Sequence, residues 1–353
     1  MTNERSPIPL WWPIAGFALC VLSLLACLWD PQAALRAWLG SAFFWSGIPI
    51  GALLLLMTMR LIPGGWANEL LVFAETATLL MPLAALMFIP VLLGIGSIYD
   101  WADQPPRNAF QSIYLIPWFF AARTLIWFAL LGAFTFLLSQ RRGNFTILSC
   151  IGLLIFVPMS TMIAVDWIMS LDPAFSSSGF GLYILSSQVG TSLVWISGTA
   201  LLLKPHLRRI SLLSGLLLLL LLLWTYFAFM QYIITWSGNL PQGVLWYKRQ
   251  SSEGWSHVEW AISGLHLLPA FILMLPVRSS KTWLFAMCVA VLAGKILEAS
   301  WLTLTGVTSP LSLGLFVLSL SGTGLIVATA FMETFRYRVS ARSPSSVEVG
   351  EAS

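Results

Sequence analysis

The stretch SLLSGLLLLLLLLWTYFAFMQYIITW, residues 211–236, decides the fold. It contains no charged residue. Wound as a helix it would be about 39 Å long, more than the ~30 Å hydrocarbon core of a bilayer. A helix also satisfies its backbone hydrogen bonds within its own segment, which lipid demands. The run is continuous rather than alternating, so it does not read as a barrel strand.

Working outward, comparable runs recur along the chain. The expected spans are 11–29, 41–61, 71–96, 113–138, 146–168, 180–203, 211–236, 257–275, 282–303 and 312–333. The 353 residues are 58% hydrophobic and only 9% charged, with mean hydropathy +0.85. That is too little polar surface to coat a soluble globule. The reading is an all-α, polytopic membrane helical bundle of about ten transmembrane helices. Residues 1–339 form the membrane domain, and the Ser-rich stretch 340–353 reads as a disordered cytoplasmic tail.

Basic residues fix the expected orientation. Twelve of the 18, among them Arg60, Lys204, Arg209, Lys281 and Arg338, fall on the side of the N-terminus. Only Arg36, Arg107, Lys248 and Arg249 fall opposite, and Arg123 and Lys295 lie within spans. Both termini are therefore expected in the cytoplasm. The net charge of +4 reflects topology and implies no nucleic-acid partner. Leu24-Leu25-Ala26-Cys27 loosely resembles a lipoprotein box, but removing the first span would spoil the charge asymmetry.

The longer loops, 30–40, 97–112, 169–179 and 237–256, are expected on the outer side, with breaks at Pro105-Pro106 and Asn239-Leu240-Pro241. Their aromatics Trp101, Trp246, Tyr247 and Trp255 read as interfacial belt residues or as a docking surface. The run Leu216 to Leu223 should face lipid or a partner helix.

Several chemistries have no residues to carry them. Cys20, Cys27, Cys150 and Cys288 lack Cys-x-x-Cys spacing and read as inert core residues. Of three histidines, His206 lies in a turn. His257 and His266 share one helix about 13.5 Å apart, so they cannot ligate a haem between facing helices. No metal site, P-loop or nucleotide fingerprint occurs.

Ionisable residues inside a bilayer are costly, and each is a functional candidate until packing explains it. These are Glu75, Arg123, Asp166, His257, Glu259, His266, Lys295 and Glu298. Lys295 and Glu298 are one turn apart on one face and can pair, as a structural ion bridge or as a proton-exchanging site. His266 reads as a relay or as a hydrogen-bonded core residue. In order of depth, Glu75, Arg123, His266, Lys295, Glu298 and Asp166 could form two half-channels meeting at mid-membrane. Asp100, Trp101, Asp103 and Asp172, with Asp166 and Trp167, form an acidic aromatic rim that is a solvated loop, a docking surface or a proton mouth.

The segments carrying these residues have a family likeness. Gly64-Gly65-Trp66, Glu75, Leu92-Leu93-Gly94, Tyr99 and Trp101 resemble the early helices of the ActF-type membrane subunit of alternative complex III, of the NrfD or polysulfide-reductase superfamily. Asp166-Trp167-Ile168-Met169-Ser170-Leu171-Asp172-Pro173, then Ser178, Phe180-Gly181 and Tyr183, carry the most specific match. Phe229-Met230-Gln231-Tyr232, Trp236, Asn239-Leu240-Pro241, Trp246-Tyr247, Gly254-Trp255 and Glu298 before Trp301 continue it. The likeness covers roughly residues 38–305.

The resemblance implies a ten-helix subunit of a quinol-oxidising complex, beside a homologous ten-helix membrane subunit, a periplasmic iron–sulfur protein and a multihaem cytochrome c. It places haem c and iron–sulfur clusters in those partners, none in this chain, and allows quinol at an interface. It places the complex in the bacterial inner membrane and carries Glu75, Asp166 and Glu298 over as a proton path. Two departures touch that path: Lys295 stands where the family has a histidine, and His266 is offset by one from the usual His before a Pro, here Pro269.

Overall fold

A computed structural model describes residues 9–104, 109–139, 145–204, 206–238, 240–252 and 254–340. All regular structure among them is helical. The helices are α1 (Trp11–Leu25), α2 (Pro31–Leu61), α3 (Gly65–Thr78), α4 (Met81–Met87), α5 (Ile89–Leu93), α6 (Ile95–Ile98), α7 (Ala109–Tyr114) and α8 (Pro117–Ser139). They continue as α9 (Phe145–Trp167), α10 (Phe180–Leu203), α11 (Ile210–Ser237), α12 (Pro241–Gln250), α13 (Trp255–Met274), α14 (Lys281–Leu304) and α15 (Ser312–Ser340). Nine stretches among the described residues are helical, long and apolar enough to cross a membrane. The chain is therefore a multi-pass membrane protein by length and composition.

The central element is α2. Asp30 caps it, accepting from the Ala33 amide at 3.0 Å, and Pro31 occupies the first turn, where no N–H is needed. The cap starts the helix ten residues before the expected span, so 31–40 is buried helix rather than an outer loop. Arg36 is tolerated there because its Nε donates to the Ile98 carbonyl at 3.1 Å and its guanidinium lies 3.8 Å from Asp100.

Close packing follows from small residues. Gly51 of α2 lies against α10 so tightly that a Cβ would collide with the Gln188 carbonyl and the Ser192 side chain. At the bundle edge α1 packs on α15 by the same device: a Cβ on Gly16 would sit 2.8 Å from the Gly322 carbonyl.

Two expected continuous elements differ. The third span is broken into α3 to α6, because Pro82 and Pro90 lack the amide that would extend the preceding turn. The 237–256 loop contains α12, whose buried face includes Trp246 and Tyr247. With Trp101, these aromatics are buried in the bundle and do not form a belt; Trp255 is partly buried.

The helix α10 is 24 residues long but is not among the nine apolar stretches. Ser186, Ser187, Gln188, Thr191 and Ser192 lie along it, all buried, so protein surrounds it rather than lipid. In the leucine run of α11, Leu217 and Leu221 face inward while Leu219, Leu222 and Leu223 are exposed. Cys20 and Cys288 are core residues; Cys27 is partly buried and Cys150 is exposed, so the expected core placement fails there. Ser340 ends α15, so it is helical, and the remainder of the expected tail lies outside the described residues, as do Pro105-Pro106 and Asn239.

Candidate functional site

The six mid-membrane candidates fall into three separate groups. Lys295, Glu298 and His266 are brought together; Arg123 meets Asp166; Glu75 stands with basic residues from elsewhere.

The first group draws on four helices. Glu298 of α14 is 1% exposed, and its carboxylate is fully engaged. One oxygen accepts from Lys295 Nζ at 2.8 Å and from Ser187 Oγ of α10 at 2.8 Å. The other accepts from Trp224 Nε1 of α11 at 2.8 Å. Lys295 Nζ also donates to Ser187 Oγ at 3.2 Å, closing a triangle, and lies 4.6 Å from the Trp224 ring centroid. Tyr183 provides a further hydrogen bond to Glu298. On the other side His266 of α13 stacks on Trp224, with centroids 4.0 Å apart and planes at 19°.

His266 reaches that place because α14 has glycine there. A Cβ on Gly294 would lie 2.7 Å from His266 Cε1. The ring bonds the Ile262 carbonyl through Nδ1 at 2.8 Å, and its buried Nε2 has no partner among the described residues. That nitrogen lies near the carboxylate–ammonium pair, with Trp224 shared between them.

Beside this group lies a cavity of about 250 Å³ that shares Tyr183 and Trp224 with it. Gln231, Tyr232, Trp246, Tyr247, Glu259 and Trp301 line its far side. Burial holds the Tyr247 phenol well above its ordinary range, and the nearby Glu259 adds to the effect, so it stays neutral. Glu298 itself does not line the cavity; Trp224 and Tyr183, which bond it, form the wall between.

The second group is sealed. Arg123 Nε and Nη2 hold the two oxygens of Asp166 at 2.7 and 2.9 Å, a bidentate fork, and Nη1 donates to the Tyr114 carbonyl at 2.9 Å. The rings of Tyr114 and Phe119 cover the guanidinium at 3.9 and 4.4 Å. Asp166 and Trp167 are buried, Trp167 Nε1 donating to Thr124 Oγ1 at 3.2 Å. Arg123 therefore shares the level of Asp166 rather than lying deeper, because α8 begins only at Pro117.

The third group joins Glu75 to Arg60 at 2.9 Å and to Arg338 at 3.4 Å, linking α2, α3 and α15. Of the rim, Asp100 and Asp103 are exposed, Asp172 is paired with Arg249, and Trp101 is buried. Among the described residues no group of three or more His, Cys, Asp or Glu is placed to hold a metal.

Ser187, Trp224 and Gly294 complete the site and were not singled out from sequence. Two signals pointed to them. Ser186-Ser187-Gln188 is a polar run inside an expected span, and Trp224 is a tryptophan in mid-leucine rather than at an interface.

In comparisons with known proteins, no family model and no curated protein matches this chain.

Proposed function

We propose that this chain is a redox-inert subunit of a quinol-oxidising respiratory complex of the alternative complex III type, contributing assembly, quinone contact and proton movement. It crosses a bacterial inner membrane ten times, α10 being the tenth crossing, with both termini in the cytoplasm. Its partners are a homologous ten-helix subunit, a periplasmic iron–sulfur protein and a multihaem cytochrome c. The family likeness of the quoted segments supports the membership.

The observation that supports proton movement is the Lys295–Glu298 pair. It is buried at mid-helix, shares Trp224 with a histidine whose Nε2 has no partner among the described residues, and is separated from a cavity only by Trp224 and Tyr183. Buried ionisable groups with an access route are the parts a proton path requires. The two arginine-held carboxylates, Asp166 and Glu75, act in this reading as flanking charges of the path. Replacing Glu298 by Gln in the intact complex should lower the protons released per quinol while the subunits still assemble. An unchanged proton count defeats the proton role.

A second reading, an autonomous ion or solute transporter, draws on the broken third crossing, since interrupted helices accompany binding sites in transporters. Uptake by the purified chain alone in liposomes would select it.

A further inference from the structure

The cavity between α11, α12 and α13 has a composition that proton transfer does not require. Its walls are aromatic and stand edge to face. Trp246 meets Tyr247 at 4.9 Å and 83°, Trp246 meets Trp301 at 5.6 Å and 79°, and Tyr232 meets Tyr247 at 5.3 Å and 83°. Rings set at near right angles line the cavity with aromatic surface in more than one plane. The negative faces of such rings attract cations.

One carboxylate lines the same space. Glu259 is half-buried, and its Oε2 accepts from Ser251 Oγ at 2.6 Å. Among the described residues no Lys, Arg or His lies within ion-pair distance of it, whereas Glu298 on the other side of Trp224 is neutralised by Lys295. Gln231 also lines the cavity; the residue is buried and its side chain hydrogen-bonds Tyr247. A half-desolvated carboxylate without a cation and an aromatic lining together ask for a bulky cation carried by carbon. A metal ion would find one carboxylate where hard cations need several oxygens.

Access is lateral. Phe229 and Tyr232, at one side of the cavity, are 57% and 42% exposed on the surface of α11. A molecule dissolved in or lying on the bilayer can therefore reach the cavity.

We propose that this cavity binds an organic ammonium group, held by Glu259 and by the rings of Tyr232, Trp246, Tyr247 and Trp301. Its source is the amine headgroup of a lipid or a soluble alkylammonium. Glu259 touches neither Lys295 nor Glu298, so its substitution tests this site without altering that ion pair.

The test uses the full chain in phosphatidylglycerol discs, titrated with tetramethylammonium and followed by tryptophan fluorescence, since three tryptophans line the cavity. The expected result is a saturable change that sodium at equal ionic strength does not produce. Glu259→Gln, at a half-exposed position that tolerates the swap, should weaken it about tenfold, the loss expected when the charge partner of a caged cation is removed. In Tyr247→Leu the loss should be several-fold. Phosphatidylethanolamine discs that raise the apparent Kd assign the lipid headgroup; discs that leave it unchanged assign a soluble amine. Absence of a saturable change in phosphatidylglycerol discs, equal affinity in Glu259→Gln, or equal competition by sodium overturns the proposal. None of these outcomes bears on the proton count of the Glu298→Gln complex.

Discussion

Two buried ion pairs of this protein each join one basic and one acidic side chain within the bundle and are built differently. Arg123–Asp166 is a planar fork, with both carboxylate oxygens held by one guanidinium and two rings stacked over it. Lys295–Glu298 is a point contact in which serine and tryptophan share the carboxylate and a cavity lies alongside. Arginine stays charged in any protein environment, whereas lysine gives up its proton when burial demands it. The first arrangement holds α8 against α9 with a charge that stays fixed. The second joins α10, α11 and α14, and its cation is of the kind that can lose a proton, which is why the proposed proton role is placed on it.

The comparison can be broken directly. Asp166→Asn strands a permanent charge inside the bundle, and removing one partner of a buried pair costs about 3–5 kcal/mol. Glu298→Gln should cost less than half as much, because the lysine left behind can become neutral. Thermal unfolding of the two variants in one detergent measures the ratio, and equal losses would remove the distinction. Lys295→Met combined with Glu298→Gln should return to within about 1 kcal/mol of the parent, as replaced buried pairs often do.

A smaller change sharpens the lysine side. Gly294→Ala places a methyl 2.7 Å from His266 Cε1 and 2.9 Å from its Nδ1, so the ring must move off Trp224. Overpacking of this kind costs about 1–3 kcal/mol. The Trp224 emission maximum should shift with it, and an unshifted spectrum with unchanged stability would show that the ring is not wedged there.

The smallest expected effect belongs to the arginine side. Tyr114 hydrogen-bonds Asp166 and covers Arg123 with its ring, and burial together with the adjacent carboxylate keeps its phenol well above the ordinary range. Tyr114→Phe keeps the ring and loses one hydrogen bond, about 0.5–1.5 kcal/mol. A loss as large as that of Asp166→Asn would mean that the hydroxyl, not the fork, holds the pair.

Much of this was legible along the chain and some was not. The stretches 11–29, 146–168, 211–236 and 282–303 correspond to α1 with its short following turn, α9, α11 and α14 within a few residues, because hydropathy over a helix length is a local sum. The early start of α2 was missed although Asp30-Pro31 is a legible helix start. Pro82 and Pro90 likewise announced the breaks in the third crossing. The pairing of Lys295 with Glu298 was readable from a spacing of one turn. The partner of Arg123 was not, since Asp166 lies 43 residues away and nothing local points to it.

By itself the sequence determined that this is a helical membrane protein, because an apolar run longer than the bilayer core commits a segment wherever its neighbours are. It also determined which side chains are too costly to be in lipid without a reason. Only the tertiary structure decided what each of those charges meets. Ser187 reaches Lys295 across 108 residues and Trp224 reaches Glu298 across 74. Contacts at such separations depend on which helices adjoin, and many similar apolar faces carry almost no information about their order of packing. That choice was made by a few glycines that admit a neighbour, and by polar groups such as those of α10 that lipid would not accept.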